Sequence, residues 1–307
     1  MNLGAGREFD LIRGLRERWG PLAADIGDDA AVLRVPRGEQ MVLSTDTALE
    51  RIHFRRDWLS LREIGYRAVT AALSDLAAMA AAPIGALVAM QVPSDSATEL
   101  FELGDGVGDA VRAAGTVVLG GNLSRANSWG VTTTVIGSAF APVSRAGARP
   151  GDFLYVTGAL GGVRAAIRQL ESKGVSPELR ARYARPVARI VEARWLAARG
   201  IVAAIDISDG LHQDATHIAA ASDVTIEIDA ERVPVAGGAT ADDALAGGED
   251  YELLVASRTP LPESDFAREF ATSLTAIGRV VEGGCAVHFT RDGKRVAAPP
   301  GYDHFSR

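Results

Sequence analysis

The segment Val202-Ala203-Ala204-Ile205-Asp206-Ile207-Ser208-Asp209-Gly210-Leu211-His212 reads as three elements in immediate succession. The apolar run over 202–207 is a strand, Ser208-Asp209-Gly210 is the turn that ends it, and residues 211–221 form a helix. Working outward, the second half offers strands at 153–157, 224–228, 252–256, 275–281 and 286–290, with helices at 163–173 and 187–199. The first half repeats this mixture. Phe9, Ile12, Leu15 and Trp19 have helical spacing, strand-like runs cover 30–35 and 41–44 around a Pro36-Arg37-Gly38 turn, and an Ala-rich helix covers 61–82, stopped by Pro83. Strands at 85–92, 116–119 and 131–139 and a helix at 97–114 complete it. The polar, turn-rich segment from Arg145 to Asp152 marks a boundary, giving domains of 1–143 and 144–307. Mixed helices and strands in both halves predict an α+β or α/β fold of two domains.

The chain has 307 residues, about twice the ~150 of a typical domain. Its 47% hydrophobic and 23% charged residues argue against disorder and against a coiled coil. Acids outnumber bases by 39 to 32, for a net charge of −7, and no Lys/Arg-rich run is present to track a nucleic-acid backbone. Cys285 is the only cysteine, which excludes an internal disulfide and a Cys-based zinc site. No stretch of 18 apolar residues occurs, and the first residues lack a basic segment followed by an apolar one, so a cytoplasmic protein without a membrane partner is expected.

Acidic residues recur where strands or turns stop: Asp28 and Asp29 after Ile26-Gly27, Asp46 after Val42-Leu43-Ser44-Thr45, and Asp206 and Asp209 after Ala203-Ala204-Ile205. Taken singly, each reads as a cap or turn residue, with Asp209 best placed to cap the helix that follows. Asp75 does not fit that reading, because it lies within a helix beside Leu73, Leu76 and Met79. If several of these carboxylates converge, cations must intervene. Like charges ~4 Å apart cost about 1 kcal/mol in water and about 4 kcal/mol at an effective dielectric of 20. All-oxygen ligands with few histidines favour Mg2+, which joins carboxylates to substrate phosphates.

Three Gly-rich turns are candidate phosphate cradles: Gly120-Gly121-Asn122, Gly158-Ala159-Leu160-Gly161-Gly162 and Gly247-Gly248-Glu249-Asp250. Ordinary tight turns are the alternative, the more so for the second. Neither the P-loop nor the Rossmann glycine pattern is present. His53 lies among Arg51, Arg55 and Arg56 and is open to reading as a surface or satisfied residue or as a ligand, while Arg145 and Arg149 flank the boundary, open to a solvated or a phosphate-binding reading.

In combination these pieces resemble one family. Ile26-Gly27-Asp28-Asp29-Ala30, Ser44-Thr45-Asp46-Thr47, His53-Phe54, Leu73-Ser74-Asp75-Leu76-Ala77-Ala78-Met79, Gly120-Gly121-Asn122, Arg149-Pro150-Gly151-Asp152, Asp206-Ile207-Ser208-Asp209-Gly210-Leu211, Gly247-Gly248-Glu249-Asp250-Tyr251-Glu252 and Gly301-Tyr302-Asp303-His304-Phe305 stand in the order seen in thiamine-monophosphate kinases. The resemblance spans nearly the whole chain. It implies the two-domain ATP-binding fold shared with aminoimidazole ribonucleotide synthetase and selenophosphate synthetase, with an N-terminal α+β domain that pairs with its copy in a homodimer and a C-terminal α/β domain. It implies that Asp29, Ser44, Thr45, Asp46, Asp75, Asp206 and Asp209 hold several Mg2+ ions, with Asp46 and Asp209 central to catalysis. Gly121, Asn122, Arg145 and Ser208 would contact ATP, and His53, Glu249 and Tyr302 thiamine monophosphate.

The sequence departs from the family pattern at Asn122, where many members have Asp, at Ala72, in place of Asn, and at Ala80, in place of Gly. Near the C-terminus there is no Trp, so stacking on the substrate rings falls to Tyr302. The reaction implied is in-line phosphoryl transfer from ATP to thiamine monophosphate. Two alternatives stand beside it, a non-catalytic nucleotide or thiamine-phosphate sensor and another ATP-dependent enzyme of the same fold. Against the latter, the only Cys is far from the N-terminus, and the chain ends His304-Phe305-Ser306-Arg307 without a terminal Cys.

Overall fold

A computed structural model of the chain describes residues 7–23, 26, 30–93, 96–172 and 174–297. The chain divides into one unit of Met1–Leu76 with Ala81–Ala141 and another of Ala77–Ala80 with Pro142–Arg307.

The first unit runs α1 (Arg7–Trp19), a 3-10 turn (Gly20–Ala23), β1 (Gln40–Leu49), α2 (Leu61–Ala78), β2 (Ala82–Val92), α3 (Ala97–Ala113), β3 (Val118–Arg125) and β4 (Gly130–Ala139). Its sheet has the order β1-β4-β2-β3; β4 is antiparallel to both β1 and β2, while β3 runs parallel to β2. Side chains alternate between faces. Val135, Ala86, Val88 and Val118 are buried on the face that Leu76 of α2 packs against, whereas Met41, Leu43 and Leu87 are exposed on the other.

Three expectations need correction. Residues 30–35 form no strand: Val32 is 93% exposed, so the alternation there has no surface to bury against. Helix α2 ends at Ala78 rather than at Pro83, which lies inside β2. The stop is a Schellman cap, in which the N–H of Ala81 bonds Leu76 O (2.8 Å), that of Ala80 bonds Ala77 O (2.8 Å), and Ala80 adopts the left-handed conformation at φ 53°. Gly120-Gly121-Asn122 is not a turn but the middle of β3.

The second unit runs β5 (Phe153–Thr157), α4 (Gly162–Glu171), α5 (Pro177–Ala184), α6 (Ile190–Ala197), β6 (Ile201–Asp206), α7 (Leu211–Ser222), β7 (Thr225–Asp229), α8 (Ala241–Ala246), β8 (Leu253–Ser257), α9 (Glu263–Phe270), β9 (Leu274–Val281), β10 (Ala286–Arg291) and β11 (Lys294–Val296). The sheet order is β11-β10-β7-β9-β5-β8-β6, antiparallel throughout except for the parallel β10/β7 pair. Leu154, Val156, Ile205, Ile226, Ile228, Leu254 and Phe289 from the strands and Leu211, Ala215 and Ile218 from α7 share one core. Helix α5 was not anticipated, although Ser176 caps it by accepting the Leu179 N–H at 3.2 Å and Pro177 opens its first turn.

Candidate active site

In the first unit, strand register distributes the predicted residues. Paired residues of adjacent strands share a transverse row and a face. One row is Asp46, Thr133, Val88, Gly121; the next is Thr47, Thr132, Ala89, Asn122. Asp46 and Gly121 therefore stand at opposite edges of the sheet, roughly 14 Å apart at ~4.8 Å per strand. Gly121 occupies a position no other residue fits, since a Cβ there would lie 1.8 Å from Val88 O.

Ser44 and Asp46 project on the face that carries α2. Ser44 Oγ donates to Asp75 Oδ2 at 2.5 Å, which explains a carboxylate in mid-helix: it is aimed at β1. Asp46 is exposed, and its Oδ1 accepts the Thr47 N–H at 2.7 Å. Thr45 falls on the opposite face, where its hydroxyl meets Thr134 Oγ1 at 3.0 Å. Only its backbone stands with Ser44 and Asp46. His53 is held in a tight loop, its Nδ1 accepting the Leu49 N–H at 3.1 Å. The neutral ring then carries its proton on Nε2, as a donor. Ala72 is fully buried in α2.

In the second unit, Asp206 ends β6, buried, and the Ser208-Asp209-Gly210 turn leads into α7. Asp209 does not cap that helix. The N-cap is Gly210, which has no side chain to offer, and the carboxylate of Asp214 reaches back to accept the N–H groups of Ser208 (3.1 Å), Asp209 (3.1 Å) and Gly210 (3.0 Å). Burial, with the charges of Asp206 and Asp209 adding to it, pushes the Asp214 carboxyl up to about 8. Asp209, Asp214 and His217 each present a ligand atom within 4.8 Å of the others. In this group Asp214 Oδ2 is taken up by the three N–H groups, and an oxygen donor such as Asp209 suits a hard divalent cation such as Mg2+.

The Gly247–Glu252 segment lies against the same turn. The N–H of Glu249 bonds Ser208 O (2.8 Å) and that of Tyr251 bonds Ile207 O (2.9 Å), while a Cβ at Gly248 would sit 2.3 Å from Ser208 O. Glu249 and Tyr251 adopt φ of 63° and 53°, strained values for residues with side chains and of the kind that cluster at functional sites. Between them Asp250 accepts the N–H groups of Gly161 (2.6 Å) and Val163 (3.3 Å), so a protein carboxylate already fills the 158–162 turn, which is a structural turn and not a phosphate cradle. Glu252, buried, is gripped by Arg189 at 2.8 and 2.6 Å and by Thr157 Oγ1 at 2.6 Å.

Arg145 lies elsewhere. Its carbonyl accepts from Ser222 Oγ (3.1 Å) at the end of the 12-residue α7 remote from Asp209, a helix length of ~18 Å. Asp29 and Tyr302 lie outside the described residues. Sequence reasoning missed Asp214, although an acid on the buried stripe Leu211, Asp214, Ala215, Ile218 was a usable signal. It also missed Asp250 as a cap for Gly161 and Val163 and Arg189 as the ion-pair partner of Glu252, each far in sequence from those partners.

The N-terminal domain of the AIR synthase related proteins matches residues 27–139, and the C-terminal domain of the same family matches residues 149–289. The thiamine-monophosphate kinase of Aquifex aeolicus (strain VF5) is 35% identical over 322 residues, covering 99% of this chain and 98% of that protein. Among solved structures, the thiamine-monophosphate kinase from Stenotrophomonas maltophilia K279a superposes with a TM-score of 0.83 at 29% identity over 96% of this chain and 99% of that one. AaThiL in complex with AMPPCP and TMP gives a TM-score of 0.78 at 32% identity, covering 97% of each chain.

Proposed function

Because this chain belongs to the thiamine-monophosphate kinase family, we infer that it phosphorylates thiamine monophosphate to thiamine diphosphate at the expense of ATP. The single observation that carries this reading is 32–35% identity over nearly the full length to such kinases, one of them seen in complex with AMPPCP and TMP. A non-catalytic sensor is not favoured.

The acceptor is a phosphate monoester, mostly dianionic at neutral pH because its second pKa is near 6, so its oxygen attacks without a general base. This agrees with His53, whose Nδ1 lone pair is taken and whose Nε2–H is suited to donate to a phosphate oxygen. The work left to the protein is alignment and charge compensation. We assign Ser44, Asp46 and Asp75, with the backbone carbonyl of Thr45, and Asp206 and Asp209, together with Asp29, to holding Mg2+. When bound, Mg2+ supplies neutralisation of the phosphate charge. Asp46 and Asp209 are the residues assigned the most direct part in catalysis.

Gly121 and Asn122 leave an exposed strand edge at which phosphates can approach the backbone; with Ser208 and Arg145 they are assigned to ATP. Ser208 is supported by its turn. Arg145 is supported by the family pattern alone. Glu249, on its strained segment, joins His53 and Tyr302 in the assignment to thiamine monophosphate. The exposed apolar Met41, Leu43 and Leu87 support a homodimer paired through the first unit's sheet. Among the described residues no helix is long and apolar enough to cross a membrane. A cytoplasmic location belongs to the same proposal, as does a division at 143/144 into an ATP-, Mg2+- and dimer-forming domain and an α/β domain.

The test is direct. Purified protein with ATP, Mg2+ and thiamine monophosphate is expected to yield equimolar ADP and thiamine diphosphate, with free thiamine inert. Binding of both substrates without product would overturn the kinase reading in favour of a sensor.

A further inference from the structure

The Ser208-Asp209-Gly210 turn presents three consecutive backbone N–H groups, and all three converge on one atom, Asp214 Oδ2, at 3.1, 3.1 and 3.0 Å. Asp214 is 1% exposed and stands on the apolar stripe of α7 between Leu211 and Ile218. A glycine at the N-cap leaves the helix start without a local acceptor, and Asp214 supplies it from within the first turn. Drawing these N–H groups inward fixes the orientation of the peptide planes at 208–210, and with them the backbone from which the Ser208 and Asp209 side chains leave. The Ser208 carbonyl is pinned from the other side by the Glu249 N–H at 2.8 Å. The turn is thus clamped between Asp214 and the Gly247–Glu252 segment. An oxygen already accepting three N–H donors is a poor cation ligand through that atom.

We propose that Asp214 is a positioning residue for the kinase reaction, holding the turn so that Asp209 and Ser208 face the phosphates and their cation, without itself touching either. The inference rests on the kinase reading, and two substitutions separate the position of the oxygen from its ability to ionise. Asp214→Asn keeps an oxygen acceptor at the same reach and removes the ionisable group; Asp214→Glu keeps the ionisable group and displaces the oxygen by one methylene.

Binding of Mn2+ alone is followed by electron paramagnetic resonance, amide exchange over residues 206–214 by mass spectrometry, and kcat and KM by ADP release. The Asn variant is expected to stay within threefold of wild type on every readout. The Glu variant is expected to bind Mn2+ at least tenfold more weakly and to exchange faster at 208–210. Its kcat should fall at least tenfold, while KM for thiamine monophosphate changes less than threefold. A Glu variant equal to wild type, or an Asn variant at least tenfold impaired in Mn2+ binding, overturns the proposal. The second outcome remains decisive even if the Glu variant does not fold. If wild type releases no ADP, the kinase reading fails, while Mn2+ binding and exchange still decide whether Asp214 holds the turn.

Discussion

Replacing Arg189 by methionine should destabilise the second unit by about 3–5 kcal/mol, the usual consequence of stranding a buried charge. Arg189 lies with its side chain 16% exposed between Glu252, 4% exposed, and Glu192, 7% exposed. Its guanidinium engages both oxygens of Glu252 at 2.8 and 2.6 Å and reaches Glu192 at 3.2 Å. Burial pulls the Arg189 pKa down, yet Glu252 and Glu192 outweigh it and the net shift is upward, so the cation is more stable here than in water. Methionine preserves much of the stem's packing while leaving two buried carboxylates without a cation. Glu252→Gln is milder, at about 1.5–3 kcal/mol, because Thr157 and Arg189 keep an amide oxygen to bond and Arg189 retains Glu192. For a unit of this size each kcal/mol moves the melting temperature by roughly 2–4 °C, so Arg189→Met should lower Tm by roughly 6–20 °C in differential scanning calorimetry at neutral pH. A shift under 2 °C, or a larger loss for Glu252→Gln than for Arg189→Met, would refute the reasoning. Since Glu252 anchors the strained Gly247–Glu252 segment, kcat should fall along with Tm.

Two further substitutions address the site. Asp46→Asn, at an exposed position, is expected to abolish turnover by at least a hundredfold while Tm stays within 2 °C of wild type; near wild-type release of ADP would remove Asp46 from the catalytic assignment. Asp250 is pushed up from 3.8 to about 7, first by burial and only partly offset by the Gly161 and Val163 N–H groups. A carboxyl with a raised folded pKa contributes stability that is fully present below pH ~4 and lost as pH rises through about 7. Asp250→Asn should therefore flatten the decline of Tm between pH 4.5 and 8 relative to wild type, and parallel curves would contradict the buried-acid account.

Much of the architecture was legible in the sequence, because strands such as 153–157 and 131–139 and helix α7 are continuous apolar or periodic runs between clear turn residues. What escaped did so for identifiable reasons. Ala80 occupies a left-handed position that glycine would have flagged, so the Schellman cap was invisible and the helix was run on to Pro83. Gly120-Gly121 read as a turn because glycine usually breaks strands, whereas close packing against Val88 O demands glycine at 121 within β3. The carboxylates Asp46, Asp75, Asp206 and Asp209 were visible as a set, but which face each one occupies depends on strand register and helix phase. Thr45 and Asp209 show this: one hydroxyl turns away from its neighbours, and the capping role passed to Asp214, five residues on.

The alternation along β1 also bears on what kinds of change this protein tolerates. Ser44 meets Asp75 of α2, and Asp46 shares its face, because a strand repeats every two residues. A single inserted or deleted residue upstream within β1 would turn both to the opposite face and present Thr45 on the face of α2, with every assigned side chain still encoded. An insertion in the exposed turn around Gly38 leaves that parity untouched. The site is thus inherited as a phase relation along the chain as much as a set of residues, so length variation among relatives should collect in the turns and be absent from 40–49.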